Sequence, residues 1–421
     1  MNDVAQVSRI LVKIEAEFPV NELVYKGVCA WPLIRGHLAS ELFLDQRPLN
    51  AGSYVPLPAE EIRKISDWVK SCLPEVVAGP VDVLFMTVGF EYARLTDCWY
   101  NKFFDPLKEI IFERDLTCLD LETGFPGGPF EPKCYPAGFI ASLIDSAVHL
   151  REAPGTIARF AELAAFLAQR GIMSDPGHDR FVCKLETMLA EAVIFRMILE
   201  KAQPKTVFLV CYYHDRAMAL LKACHDLGIP SIEVQHSIIE PQCMHYSNWT
   251  SIPPGGYELM PDAFWTWGET ASATLRTWNG DSPERPRIFT GGNLWLGKNL
   301  HAPPVPELAE SVSANQRTIL FTLAGAPFEP VADLVPAALI EALDIAPPDW
   351  KWIVRLHYKM DDRIRGLIEE IFAPWRDRVD VQPASRWKLY DLFKVSDYHI
   401  CMLSTTQLEA EAFGLPNIVI G

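Results

Sequence analysis

The chain has 421 residues, 49% of them hydrophobic and 22% charged, with a net charge of −16 at pH 7. That length exceeds one ordinary core and asks for two α/β domains, and the composition is that of a folded protein. The acidic balance excludes a general nucleic-acid binder, which needs a basic face, and a polybasic membrane anchor.

No apolar run reaches the length of a membrane span, and Met1-Asn2-Asp3-Val4 lacks the basic-then-apolar pattern of a signal peptide. The ten cysteines are scattered, without a C-x-x-C pair or clustering with histidine. They read as reduced, buried thiols of a cytoplasmic protein, with no zinc site. Residues 1 to about 75 form an N-terminal helical segment. Within it, Gly27 and Pro32 bracket a turn, and Trp31-Pro32 opens a helix with proline at its first position. Packing explains Trp31, and Arg35 reads as a surface charge or a residue facing a cleft.

After Gly79-Pro80 comes Val81–Val88, the first run that reads as a buried strand. Gly89–Asp97 follows as a polar, aromatic loop at its carboxyl end, carrying Glu91 and Asp97, and it is not a G-x-G-x-x-G fingerprint. Leu116–Leu121 is the next strand, and 124–129 a glycine- and proline-rich loop. The Ala/Leu-rich stretch from about 138 to 202 predicts helices packed on one sheet face. Thr206–Cys211, an Ala/Leu helix ending at Gly228, and Pro230–His236 make a β-α-β unit with parallel neighbouring strands. Its polar tips predict His214, Asp215, Gln235 and His236 near one another on one rim, although two nearby histidines are equally ordinary loop chemistry.

Phe264–Glu269 reads as a strand and turn, and Ile288–Thr290 as a short run. His301–Pro306, with its prolines, is the linker, placed at 301–314 between an N-terminal Rossmann-like domain (76–300) and a C-terminal one (315–421). Thr318–Leu323 starts the second domain, and Ala324-Gly325-Ala326-Pro327 is its first strand-to-helix loop. Trp352–Leu356 is a short apolar run that delivers Arg355, His357 and Lys359 to its carboxyl end. Tyr398–Leu403 is another, followed directly by Ser404, Thr405 and Thr406. Thr406 and Glu409 have capping-box spacing, and Gly414 and Pro416 stop the helix after about two turns. Such a box alone usually only caps. The two strand ends, taken as adjacent, one cationic and one rich in hydroxyls, together suggest a nucleotide phosphate site, because ligands of open α/β sheets lie beyond the carboxyl ends of the strands.

Two Rossmann-like halves, a Gln-His tip in the first, an R-x-H tip and a Ser/Thr-rich helix start in the second resemble a GT-B glycosyltransferase. The likeness is to bacterial surface-polysaccharide enzymes: capsule and Kdo transferases and the related CDP-glycerol glycerophosphotransferases. Glu409-Ala410 with Gly414 and Pro416 fits their E-A-x-x-x-G-x-P ending, and Trp31–Arg35 also recurs in some of them. Tyr358 stands where the family has proline, and Ser237 where it has glycine. The resemblance implies two domains facing across a cleft, and transfer of a sugar from a nucleotide donor, a CMP-sugar such as CMP-Kdo favoured, to a glycan or lipid-linked acceptor. It implies no cofactor or metal, and peripheral contact with the inner membrane or other assembly enzymes. His236 is then the general base, with Glu91 and Asp97 as competing carboxylates. Arg355, His357, Lys359, Ser404, Thr405, Thr406 and Glu409 would hold the donor. Glycerophosphate transfer, or a non-catalytic scaffold that binds nucleotide sugars, stands as the alternative. Such C-domains continue with further helices, so the expectation is also a chain lacking its last helices.

Overall fold

A computed structural model describes residues 4–44, 58–87, 92–94, 99–122, 143–151, 153–279, 285–312, 316–323, 334–357, 360, 362–382, 386–402 and 404–420. Two compact units divide the chain, Met1–Leu294 and Trp295–Gly421. Each is a Rossmann-like α/β domain around a parallel sheet, as in a GT-B-like chain.

The strands of the first unit begin with two short hairpin strands, β1 (Val24–Tyr25) and β2 (Val28–Cys29). The main sheet starts at β3 (Val83–Thr87), every residue of which is buried. A second short antiparallel pair, β4 (Tyr92–Arg94) and β5 (Trp99–Asn101), follows before β6 (Cys118–Glu122). Then come β7 (Thr206–Leu209), β8 (Ser231–Val234), β9 (Ala263–Thr266) and β10 (Arg287–Thr290). Their order across the sheet is β10-β9-β8-β7-β3-β6, all parallel. Strands buried on both faces read as continuous apolar runs, which is why β3 and β7 stand out in the sequence. One face packs on the 25-residue helix His178–Ala202 and on the N-terminal helices, in a core that includes Trp31, Leu84, Leu121, Phe181 and Phe195. The other face meets the helix Asp105–Phe112 through Phe85, Phe104, Ile111 and Phe208.

The N-terminal helices are tied to this domain by charge as well as packing. Arg35 is 1% exposed, so the expectation of a surface or cleft residue is corrected. Its Nε donates to Glu15 Oε1 at 2.8 Å, its guanidinium reaches the Ser247 carbonyl at 3.1 Å, and its face lies 4.0 Å from the Trp249 ring. The same Glu15 accepts from Trp31 Nε1 at 3.0 Å and, through Oε2, from the Thr250 backbone N–H at 2.6 Å. A buried charge survives only when paired in this way.

The second unit holds β11 (Thr318–Thr322), β12 (Lys351–Arg355), β13 (Val379–Gln382), β14 (Tyr398–Cys401) and β15 (Asn417–Val419). Their order is β13-β12-β11-β14-β15, again all parallel. The sequence reading put the ends of β12 and β14 side by side. In the sheet β11 lies between them, with Thr322 paired to Arg355 on one side and Cys401 on the other. The first strand of a doubly wound sheet becomes its centre because later units wind outward on both sides. The helix Thr406–Ala412 ends before Gly414, whose φ of +72° a side chain would strain. No helix among the described residues is long and apolar enough to cross a membrane.

Candidate functional site

Both sheets reverse their winding once. In the first domain the reversal falls between β3 and β7, and in the second between β11 and β14. At such a point two neighbouring connections diverge to opposite faces and leave a crevice beyond the carboxyl ends, where open α/β sheets bind ligands.

In the second domain, β12 ends at Arg355, half-buried between Thr322 and Gln382 of its neighbours. The Met360 N–H donates to the His357 carbonyl at 2.9 Å. Burial pushes the Arg355 guanidinium down to about 10, while the Glu409 carboxylate opposes that fall, so Arg355 remains a cation at neutral pH. At the central strand, Thr322 Oγ1 lies 2.9 Å from His399 Nε2 and 3.4 Å from Thr406 Oγ1. His399 spans the gap to β15, its Nδ1 2.7 Å from Asn417 Oδ1, and burial lowers its pKa. A neutral imidazole with a partner on each nitrogen is a structural link between strands.

The capping box is corrected. Thr405 precedes the helix in helical geometry without a side-chain cap bond, and the Thr406 N–H instead donates to Ser404 Oγ at 3.3 Å. Glu409 Oε1 accepts from the Tyr390 hydroxyl at 2.6 Å, and Tyr390 is wedged among Trp295, Phe393 and Phe413. Tyr390 thus holds the carboxylate that the box would have used. Arg355, His357, Thr322, Ser404, Thr405, Thr406 and Glu409 are thus drawn to one edge of this sheet. Lys359 lies outside the described residues.

In the first domain the expected rim splits in two. Cys211 follows β7 with a φ of +57°, a conformation costly for a side-chain-bearing residue. That kink separates the aromatic side chains of Tyr212 and Tyr213 from His214 and Asp215. Tyr213 stacks on His245 with ring centroids 3.8 Å apart, and its hydroxyl lies 3.4 Å from His236 Nε2. His236 Nδ1 is 3.3 Å from the Tyr246 hydroxyl and 3.6 Å from Glu233 Oε1, to which Tyr246 also donates. Burial disfavours the charged imidazole, but bonds to Cys211 and Glu233 outweigh it and raise His236 to about 9. His236 is therefore an imidazolium at neutral pH. Gln235 faces away from this cluster: its Nε2 donates to the Ser237 carbonyl at 2.8 Å and its Oε1 accepts from the Trp267 N–H at 2.7 Å. His214 and Asp215 turn instead toward Lys184 and His37.

The sequence reading missed Glu233, Tyr246, Tyr213 and Cys211. A carboxylate inside the apolar run of β8, three residues before a histidine, is the one local signal, and Glu233 is 1% exposed. Tyr246 comes from the loop ten residues beyond His236 and has none. Glu91 and Asp97 lie outside the described residues. Among the described residues no group of three or more His, Cys, Asp or Glu is placed to hold a metal ion.

No protein-family model and no curated protein matches the sequence. Among solved structures, the chain is similar to the UDP-GlcNAc 2-epimerase from Neisseria meningitidis bound to UDP-GlcNAc. Identity there is 14%, covering 80% of this chain and 82% of that one, with a TM-score of 0.48. The Methanocaldococcus jannaschii UDP-GlcNAc 2-epimerase in complex with UDP-GlcNAc and UDP aligns at 12% identity over 80% and 83%, TM-score 0.47. The S. aureus MnaA–UDP co-structure aligns at 11% over 80% and 78%, TM-score 0.45. The resemblance to capsule and Kdo transferases and to CDP-glycerol glycerophosphotransferases is corrected accordingly: the chain is similar to solved UDP-GlcNAc 2-epimerases and not specifically to those transferases. Transfer of a sugar to a separate glycan or lipid-linked acceptor is not retained.

Proposed function

We propose that the chain binds a nucleotide sugar and does chemistry on it, with the phosphates at the carboxyl edge of the second sheet. The observation that supports it is that Arg355 ends β12 beside Thr322 on one side, while Thr406, beyond β14 on the other, brings its hydroxyl to 3.4 Å from that of Thr322. Guanidinium and imidazole groups make charge-assisted bonds to phosphate oxygens, and hydroxyls complete the shell. Breaking the sugar–phosphate bond, as a base takes the proton from the neighbouring ring carbon and a carbon–carbon double bond forms, places negative charge on the departing phosphate, and fixed donors stabilise it without reorganising.

In the first domain His236 is our proton-transfer group. As an imidazolium backed by Glu233 it donates more readily than it accepts, so a carboxylate, Glu91 or Asp97, suits the role of base better.

Titration calorimetry with UDP, UDP-GlcNAc, CMP, CDP and GDP tests the phosphate site. His357→Ala should weaken nucleotide affinity about 10- to 100-fold, for a charge-assisted bond of about 1.5–3 kcal/mol. No binding of any nucleotide, or unchanged affinity in the folded variant, would end this assignment. Turnover of the bound sugar, followed by proton NMR, should fall about a hundredfold to ten-thousandfold in His236→Ala with nucleotide affinity intact. A wild-type rate there, with collapse in Glu91→Gln or Asp97→Asn, would move the proton transfer to 91–97 alone.

A further inference from the structure

The first domain holds a cavity of mixed polar and apolar lining that the nucleotide reading does not use. It has a volume of about 460 Å³ and opens where the helix His178–Ala202 passes the carboxyl end of β7. Pockets for small molecules fall in the range of about 300–1,000 Å³. Lys184, Thr187 and Glu191 line one wall, at i, i+3 and i+7 on a single helix face. His214, Asp215 and Arg216 line the other, at the start of the helix Asp215–Leu227.

The wall charges are tied in pairs. Asp215 Oδ1 lies 2.9 Å from His37 Nε2, and its Oδ2 accepts from Lys184 Nζ at 2.7 Å. Arg216 Nε donates to Glu191 Oε1 at 3.2 Å, and its terminal nitrogen to Asp145 Oδ1 at 2.8 Å. These bonds hold Asp215 ionised, its carboxyl well below the usual carboxylate range although burial acts the other way.

This arrangement discriminates among ligand classes. A phosphate would meet Asp215 and Glu191 beside each cation, and a metal ion would meet Lys184 and Arg216 beside each carboxylate. A ligand without charge that carries several hydroxyls uses both signs at once, donating to carboxylates and accepting from ammonium and guanidinium. The groups have that capacity in reserve: each carboxylate oxygen accepts more than one bond, an ammonium has three donors and a guanidinium five. Side-chain exposures of 34% for Asp215, 30% for Lys184 and 20% for Arg216 keep them reachable from the cavity. The ion pairs fix their geometry beforehand, which lowers the ordering cost of binding.

We propose that this cavity binds an uncharged polyhydroxylated molecule of monosaccharide size, through Asp215, Lys184 and Arg216. The inference does not rest on the nucleotide site, and free sugar is its probe. Saturation-transfer NMR on the full chain with N-acetylglucosamine and with glucose should show transfer to at least one of them, retained under saturating UDP. Thr187→Phe, which fills the cavity without removing an ion-pair member, should abolish it, and Lys184→Met should weaken binding at least tenfold. Circular dichroism confirms that both variants fold. Four results would overturn the proposal: no transfer to either sugar, undiminished transfer in folded Thr187→Phe, displacement by UDP, or binding of inorganic phosphate without sugar.

Discussion

The two sheet edges belong to parallel sheets that each reverse their winding once, and they differ in how their polar groups are held. At the first, Glu233, Tyr246, Tyr213 and His236 interlock, and Glu15, Arg35 and Trp31 tie the N-terminal helices to the loop at 247–250. Hydrogen bonds there raise His236 to about 9 against the pull of burial, and burial pushes the Tyr213 and Tyr246 hydroxyls well above their ordinary value. At the second, one short relay from Thr322 through His399 to Asn417 crosses the strands, and Glu409 is spoken for by an aromatic cluster. A parallel sheet therefore sets where its polar tips lie, and the segments folded over it set their chemistry.

The largest effect that would sharpen this contrast is Glu15→Ala. It strands the Arg35 charge in the core, and breaking a buried pair costs about 3–5 kcal/mol. Amide exchange in β3, β7 and β8 should accelerate while β11 and β12 keep their protection. Equal loss in both sheets would break the contrast.

Stability against pH comes next. His236 has an ordinary pKa near 6.5 and a folded value of about 9, so the folded state holds the proton more tightly. Its contribution is fully present below about 6.5 and is lost as pH rises through 9, on the order of 3 kcal/mol. Denaturant titrations at pH 6 and pH 9.5 should show that loss, and Glu233→Gln should shrink it. A flat profile between those pH values would mean His236 is neutral throughout.

The smallest effect belongs to the second edge. Thr322→Val removes the hydroxyl bound to His399 and should cost about 1 kcal/mol. A loss above about 3 kcal/mol would show this edge to be as interlocked as the first.

Much of the architecture was legible. The strands at 83–87, 206–209, 318–322 and 398–401 read as short apolar runs, and the β-α-β unit at 206–234 paired in parallel as its connection required. Gly414 marked its helix end correctly. Less of the site was legible. His236, Arg355 and His357 were visible as polar residues closing apolar runs, but their partners were not. Glu233 sits in a strand, Tyr246 on a loop ten residues beyond His236, and Glu15 twenty residues before Arg35. The Thr406–Glu409 pair had the right spacing for a cap, yet Tyr390 lies closer to the carboxylate than spacing reveals.

The sequence by itself determined the class of fold and the polar tips of its strands. Burial on both faces of a parallel sheet imposes a local hydrophobic pattern, and turns demand particular residues next to it. Only the tertiary structure decided that β11 stands between β12 and β14, that Arg35 is buried on Glu15, and that the histidines of the first rim part to different neighbours. Strand order and side-chain pairing are settled by contacts between residues far apart in the chain, and local periodicity carries no record of which distant carboxylate, hydroxyl or ring will arrive.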